Sequence, residues 1–207
     1  MKVNEDVVSI RRTQAERTAA TRAVLLQAAR KLFADKGFAD VSTQAIVATA
    51  GVTRGALYHQ FDDKAALFAA VYEEVERDLV TDIARQIAER QPVDALAGMR
   101  LGARLFLERC SAPDVARIVL IDAPAVLGWE RWRAVGVKYG LGVLEGMLAH
   151  AVAEGAIPEQ PLRPAAHVLL GALDEAALFV SRAADPDQAR AEMEALCDRL
   201  ISGIAGR

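Results

Sequence analysis

Apolar positions in this chain recur at helical spacing from about residue 14 to about residue 204, and no stretch alternates as a strand would. Leu25, Ala29, Leu32 and Phe33 share one face of a first helix over about 14–36, which Gly37 stops. Ser42 is a good N-cap for a short helix to about Thr49 that buries Ile46 and Ala50. Ala50-Gly51-Val52-Thr53 reads as a tight turn, and a third helix covers about 54–60. Asp62 or Asp63 caps a long fourth helix through about Arg90, with Leu67, Val71, Val75, Leu79 and Ile83 as its apolar stripe. Pro92 separates it from a helix over about 93–110. Pro113 opens another, expected to end near Asp122-Ala123-Pro124. A helix from about Trp129 to Glu154 is stopped by Gly155 and Pro158. Pro164 opens the next, to about Ala184, and Asp185-Pro186 is the cap and first position of the last, to about Ile204. The pattern predicts an all-α protein of nine helices.

Composition supports a folded chain: 53% of residues are apolar and 26% charged, with 5% aromatic, over 207 residues. The net charge of −3 hides an asymmetry. Residues 1–64 hold ten Lys and Arg against seven Asp and Glu, so this head carries +3 and the remainder −6. A basic head on an acidic body fits a phosphate-facing module joined to something else, although chance mixing of surface charge gives the same imbalance. Cys110 and Cys197 form no CxxC pair, so neither a disulfide scaffold nor a zinc site is expected. No run of about 18 apolar residues occurs, and the first residues carry charges in place of an apolar targeting core. The expectation is a cytoplasmic protein with no membrane segment and no cofactor.

The informative stretch is 41–64. Two short helices joined by a turn at Gly51 make a helix-turn-helix, with Ile46, Ala50, Val52, Leu57 and Phe61 facing the first helix. Between those anchors sit small or hydrogen-bonding residues, which let a backbone enter the major groove and reach phosphates and base edges. The run Thr53-Arg-Gly-Ala-Leu-Tyr-His-Gln-Phe-Asp-Asp-Lys-Ala-Ala-Leu-Phe68 resembles the signature of the tetracycline-repressor (TetR) family of bacterial transcription regulators. So do Ile46-Val-Ala-Thr-Ala-Gly-Val52 and the upstream Ala28-Ala-Arg-Lys-Leu-Phe-Ala-Asp-Lys-Gly-Phe38. The resemblance covers about residues 20–70. It implies a DNA-binding head over 14–64 and a ligand-sensing, dimerising body over 65–207. By position it implies phosphate contacts from Thr43, Thr53, Tyr58 and Lys64. It also implies base-edge contacts from Gln44, Arg54 and His59, and close backbone approach at Gly55. Arg with guanine and Gln with adenine are chemically apt pairs. Where the family often has His just before the Phe equivalent to Phe61, this chain has Gln60, with His59 one place earlier. A solvated tail is at least as good a reading of Arg11, Arg12 and Arg17 as a DNA-touching arm.

The body holds no catalytic constellation. His59, His150 and His167 lack metal-ligand spacing, and Gly140-Leu-Gly142-Val-Leu-Glu-Gly146 has no strand before it and the wrong spacing for a dinucleotide loop. An enzyme is therefore not expected. Trp129, Trp132 and Tyr139, with Phe106, Phe179, Arg104 and Asp174, are candidates for lining an effector pocket, because such pockets combine aromatics with a few polar groups. Ordinary core or rim positions account for the tryptophans equally well. Leu169, Leu170, Leu173, Ala176, Ala177 and Val180, with Leu196, Leu200, Ile201 and Ile204, suggest a homodimer surface on the last two helices. The function this implies is a repressor released from a palindromic operator by a small-molecule effector.

Overall fold

The computed structural model describes residues 13–204; Arg11 and Arg12 lie outside them. Nine helices, and no strand, occur among the described residues: α1 (Gln14–Lys36), α2 (Thr43–Ala50), α3 (Arg54–Gln60), α4 (Lys64–Arg90), α5 (Ala95–Ser111), α6 (residues 113–127), α7 (residues 129–153), α8 (Leu162–Arg182) and α9 (Pro186–Ile204).

Local chemistry sets most of the boundaries. Thr13 and Glu16 form a reciprocal capping box at the start of α1. The side chains of Ser42, Thr53, Asp63 and Asp94 each accept the backbone N–H three residues on, starting α2, α3, α4 and α5. Asp185 does the same for Gln188, at 3.0 Å. Gly51 ends α2 at φ 67°, a left-handed backbone that glycine adopts without strain. α8 starts at Leu162, two residues earlier than expected, because Pro164 falls in a first turn whose N–H groups have no intrahelical partner.

α6 continues past Pro124 to Leu127, where the sequence predicts a stop at Asp122-Ala123-Pro124. Residues 116–122 form a wide π-helical turn in which Ala123 N–H bonds to the Ile118 carbonyl, five residues back. The next bond of that ladder would run from residue 124 to the Val119 carbonyl, but proline has no N–H. The Trp132 indole takes its place, donating to the Val119 carbonyl at 2.9 Å. A second π turn, Val137–Leu141, widens α7.

α2 and α3 pack on α1 and on each other, α1 packs on α4, and α4 then runs between α5, α6 and α7. α8 and α9 pack on each other and on α5. One continuous core runs from Leu25 in α1 to Ile201 in α9, so head and body share buried side chains. At the junction, Phe33, Phe38 and Phe68 pack with centroids 5.2–5.8 Å apart. The stripe on α4 is buried as expected. Among the described residues α8 alone is long and apolar enough to cross a membrane by length and composition, and its contacts with α5, α7 and α9 are those of a packed helix.

Candidate functional site

The outer surface of α2 and α3 is built by their caps. Thr53 Oγ1 accepts from Ala56 N at 3.2 Å and Ser42 Oγ from Ala45 N at 3.1 Å. Ile46 and Leu57 are fully buried on the inner side. Outward, Gln44, Thr53, Arg54, Gly55, Tyr58 and His59 are exposed and Thr43 is half-buried. Arg54 lies over the Tyr58 ring, 5.4 Å from its centroid. Arg54 and Thr43 stand at the Tyr58 hydroxyl and hold its pKa below the ordinary phenol value. His59 is exposed where Gln60 is half-buried, so of this pair the histidine has freer access to a ligand outside the fold.

Gly55 sits inside a helix, where glycine costs about 1 kcal/mol relative to alanine. A Cβ there would meet nothing closer than Thr53 Oγ1 at 3.9 Å. Nothing within the protein requires the missing side chain.

Lys64 is placed differently from the rest of the expected phosphate set. Its ammonium donates to the carbonyls of Phe38 and Val41 at 2.8 and 2.9 Å and sits 4.1 Å from the Phe38 ring centroid. It holds the α1–α2 loop. The body holds the same loop at its first residues: Phe38 N–H donates to Asp122 Oδ2 at 2.7 Å, and a Cβ at Gly37 would come within 3.0 Å of Arg117 Nη1. Asp122 and Arg117 belong to the π turn of α6. Neither was legible as a contact from sequence, because the link spans 84 residues.

A partly open cavity of about 90 Å³ lies between α4, α5, α7, α8 and α9 of the body. Val80, Ile83 and Ile87 face it from α4; Met99, Gly102 and Phe106 from α5; Gly140, Leu144 and Met147 from α7; Leu170 and Leu173 from α8; Ile201 from α9. The one charged residue on its wall is Glu76 of α4. Glu76 is 7% exposed, and its Oε2 is buried with no hydrogen-bond partner. Burial pushes its pKa up to about 7, reinforced by the negative charge of Asp174. Burial likewise raises Asp174, to about 6, against the pull of Arg133, whose guanidinium bonds it at 2.5 Å.

Of the seven residues expected around an effector, Phe106 alone lines this cavity. Arg104 is exposed and paired with Asp198 at 2.9 Å. Trp129 is 64% exposed and lies against Trp132 with the rings tilted by 46°, centroids 4.9 Å apart. Trp132 is buried, with its indole on Val119 and its carbonyl accepting from Tyr72 Oη at 3.0 Å. Tyr139 donates to Glu73 at 2.8 Å, and Lys138 also bonds that carboxylate. Asp174 is committed to Arg133, and Phe179 is exposed. Glu76 was overlooked, although a signal existed: Tyr72, Glu76 and Ile83 share one helical face, so a carboxylate sits in an apolar stripe.

Among the described residues no cluster of His, Cys, Asp or Glu could hold a metal ion, and both cysteines are buried and unpaired.

Residues 25–71 match the family described as bacterial regulatory proteins, tetR family, and residues 96–204 match the tetracyclin repressor-like C-terminal domain. The chain is 32% identical to the HTH-type transcriptional regulator CymR of Pseudomonas putida over 142 residues, covering 65% of this chain and 70% of that one. It is 36% identical to the HTH-type transcriptional regulator TtgR of Pseudomonas putida over 91 residues, 44% of this chain and 42% of the relative. The crystal structure of a TetR-family transcriptional regulator from Pectobacterium atrosepticum superposes with a TM-score of 0.81 at 33% identity, covering 93% of this chain and 97% of the other. Helix plan, helix-turn-helix and relatives agree, and the chain belongs to the TetR family of DNA-binding transcription regulators, not to an enzyme family.

Proposed function

We propose that this regulator is a repressor: a homodimer whose two α2–α3 heads occupy a palindromic operator, and which a small molecule in the body cavity releases. The observation that carries the reading is the span of α4. At its first residue it holds the DNA-reading head through Lys64, and from Glu76 onward it walls the cavity. Twelve residues of helix separate the two points, about 18 Å at 1.5 Å per residue. A tilt of α4 by about 5° about its cavity end moves the head by about 1.5 Å over that lever. Recognition helices of a dimer must sit about 34–36 Å apart to fill two successive major grooves, so opposite shifts in two protomers unseat a half-site.

In this reading Arg54, Gln44 and His59 face base edges, Thr43, Thr53 and Tyr58 bind phosphates, and Gly55 lets the backbone approach the groove. Dimerisation uses α8 and α9. Leu169, Leu170, Ala176, Ala177, Val180 and Ile201 are spent on the chain's own core, which leaves Val168, Phe179, Leu196 and Leu200 exposed on the same two helices for a partner copy.

The test begins with selection of a duplex from a random pool, followed by anisotropy titrations of that duplex and of a scrambled one. A preferred palindrome is expected, and Arg54→Ala should cost about 1–3 kcal/mol on it while leaving scrambled DNA nearly unaffected. Once an effector is found, operator must weaken its binding by the same factor by which it weakens operator binding. Equal effector affinity with and without operator would overturn the release mechanism.

A further inference from the structure

Within the cavity one polar atom is left without a partner. Glu76 Oε2 is buried with no hydrogen-bond partner; of the groups around it the Cys110 thiol is only a weak donor, and the others are committed or acidic. Arg133 is engaged by Asp174, Tyr72 donates its hydroxyl to the Trp132 carbonyl, and Asp174 is itself acidic. The remaining wall is aliphatic or aromatic apart from the Cys197 thiol. A carboxylate accepts hydrogen bonds when ionised, and a protonated one keeps an accepting oxygen.

We propose that the cavity takes a compact, largely apolar molecule presenting one hydrogen-bond donor, a hydroxyl or an ammonium, and that Glu76 selects it by accepting that donor. The assignment rests on reading the cavity as the effector site. The apolar wall fits an apolar body and leaves any second polar group unpaired. Anionic ligands are disfavoured, since the one charged group on the wall is itself a carboxylate and no cation lines the cavity.

Size points the same way. A cavity of about 150 Å³ holds benzene, so 90 Å³ is tight for one ring. The wall has room to give, because Met99 and Met147 are flexible thioethers. Gly140 belongs to the π turn of α7, where a Cβ would already press on Leu170 Cδ1 at 3.2 Å. A ligand of one substituted ring therefore enters by moving the wall.

Four probes of similar shape separate the alternatives by calorimetry on the full chain: p-cresol, 4-methylbenzylamine, p-xylene and 4-methylbenzoate. At least one donor should bind about tenfold or more tighter than p-xylene, the scale of a hydrogen bond to a charged group, and 4-methylbenzoate should be the weakest. Glu76→Leu should erase the donor advantage while keeping p-xylene binding. Glu76→Gln should keep the hydroxyl and lose the ammonium, which tells the two donors apart and serves if the leucine variant does not fold. p-Xylene binding as well as both donors, preferred binding of the benzoate, a donor advantage that survives Glu76→Leu, or no binding of any probe at millimolar concentration would each overturn the proposal. Operator release by an effector lodged elsewhere would leave the repressor reading standing without this one. Donor-selective binding with no effect on operator would do the reverse.

Discussion

Lys64→Ala separates two roles that a cation at this position can play. In the structure the ammonium donates to two loop carbonyls at 2.8 and 2.9 Å and lies 4.1 Å from the Phe38 centroid. A hydrogen bond to a charged group contributes about 1.5–3 kcal/mol, and the site is half-buried, so the lower figure applies to each bond. The substitution should then cost about 3 kcal/mol, with the ring contact contributing at most about another 1 kcal/mol. For a chain of this size that lowers the thermal midpoint by about 6–12 °C. Operator affinity falls with it, because the α1–α2 loop positions α2. The dependence of affinity on salt stays as in the parent, since no phosphate contact is lost. Circular dichroism melts and anisotropy titrations at several salt concentrations measure both quantities. An unchanged midpoint with a salt slope shallower by about 0.9, the value of one phosphate contact, would refute the structural role and return Lys64 to the DNA surface.

Three further outcomes follow from other parts of the molecule. Gly55→Ala should raise stability by about 0.5–1 kcal/mol through helix propensity, yet weaken operator binding measured by anisotropy; unchanged affinity would mean that the backbone does not approach DNA there. Phe179→Glu should convert the dimer to a folded monomer in light scattering, since the ring is 48% exposed, and a persistent dimer would place the interface elsewhere. Glu76 gives a pH signature whose sign is fixed by its raised folded-state pKa of about 7, against an ordinary 4.5. The folded chain binds the proton more tightly than the unfolded chain, so this group's contribution is stabilising below about 4.5 and is lost as pH rises through 7, by about 3 kcal/mol in all. Asp174, Arg133, Tyr72 and Cys110 share that environment. Denaturant melts of the parent and Glu76→Gln between pH 5 and 8 should diverge as pH rises, and parallel curves would contradict it.

The helices were legible wherever their ends are set by neighbours in sequence. Ser42, Asp63, Asp185 and Gly51 act on N–H and carbonyl groups within a few residues, so their spacing already contains the geometry. The end of α6 was not, because Pro124 is tolerated only with a wide turn before it and an indole from the next helix. The outward face of α2 and α3 was largely readable, as outward positions on two short helices follow from which residues are buried. Lys64 was the exception, since nothing in its own helix announces the carbonyls of a loop more than twenty residues earlier. The lining of the body cavity was the least readable. Trp129, Trp132 and Tyr139 lie close together in sequence, but the helix rotates them in turn toward solvent, toward Val119 and toward Glu73.

The bond between Trp132 and Val119 also constrains how this sequence can drift. Replacing Trp132 by Phe strands the Val119 carbonyl in the interior, since proline at 124 cannot cover it. Replacing Pro124 by Ala restores an N–H at the position that the π ladder reaches next, five residues beyond Val119. The two orders therefore differ in their intermediate: a lineage that loses the proline first retains a partner for the carbonyl when the tryptophan goes, whereas the opposite order passes through a protein with an orphaned acceptor. Such coupling ties two positions eight residues apart and on different helices into one unit of inheritance.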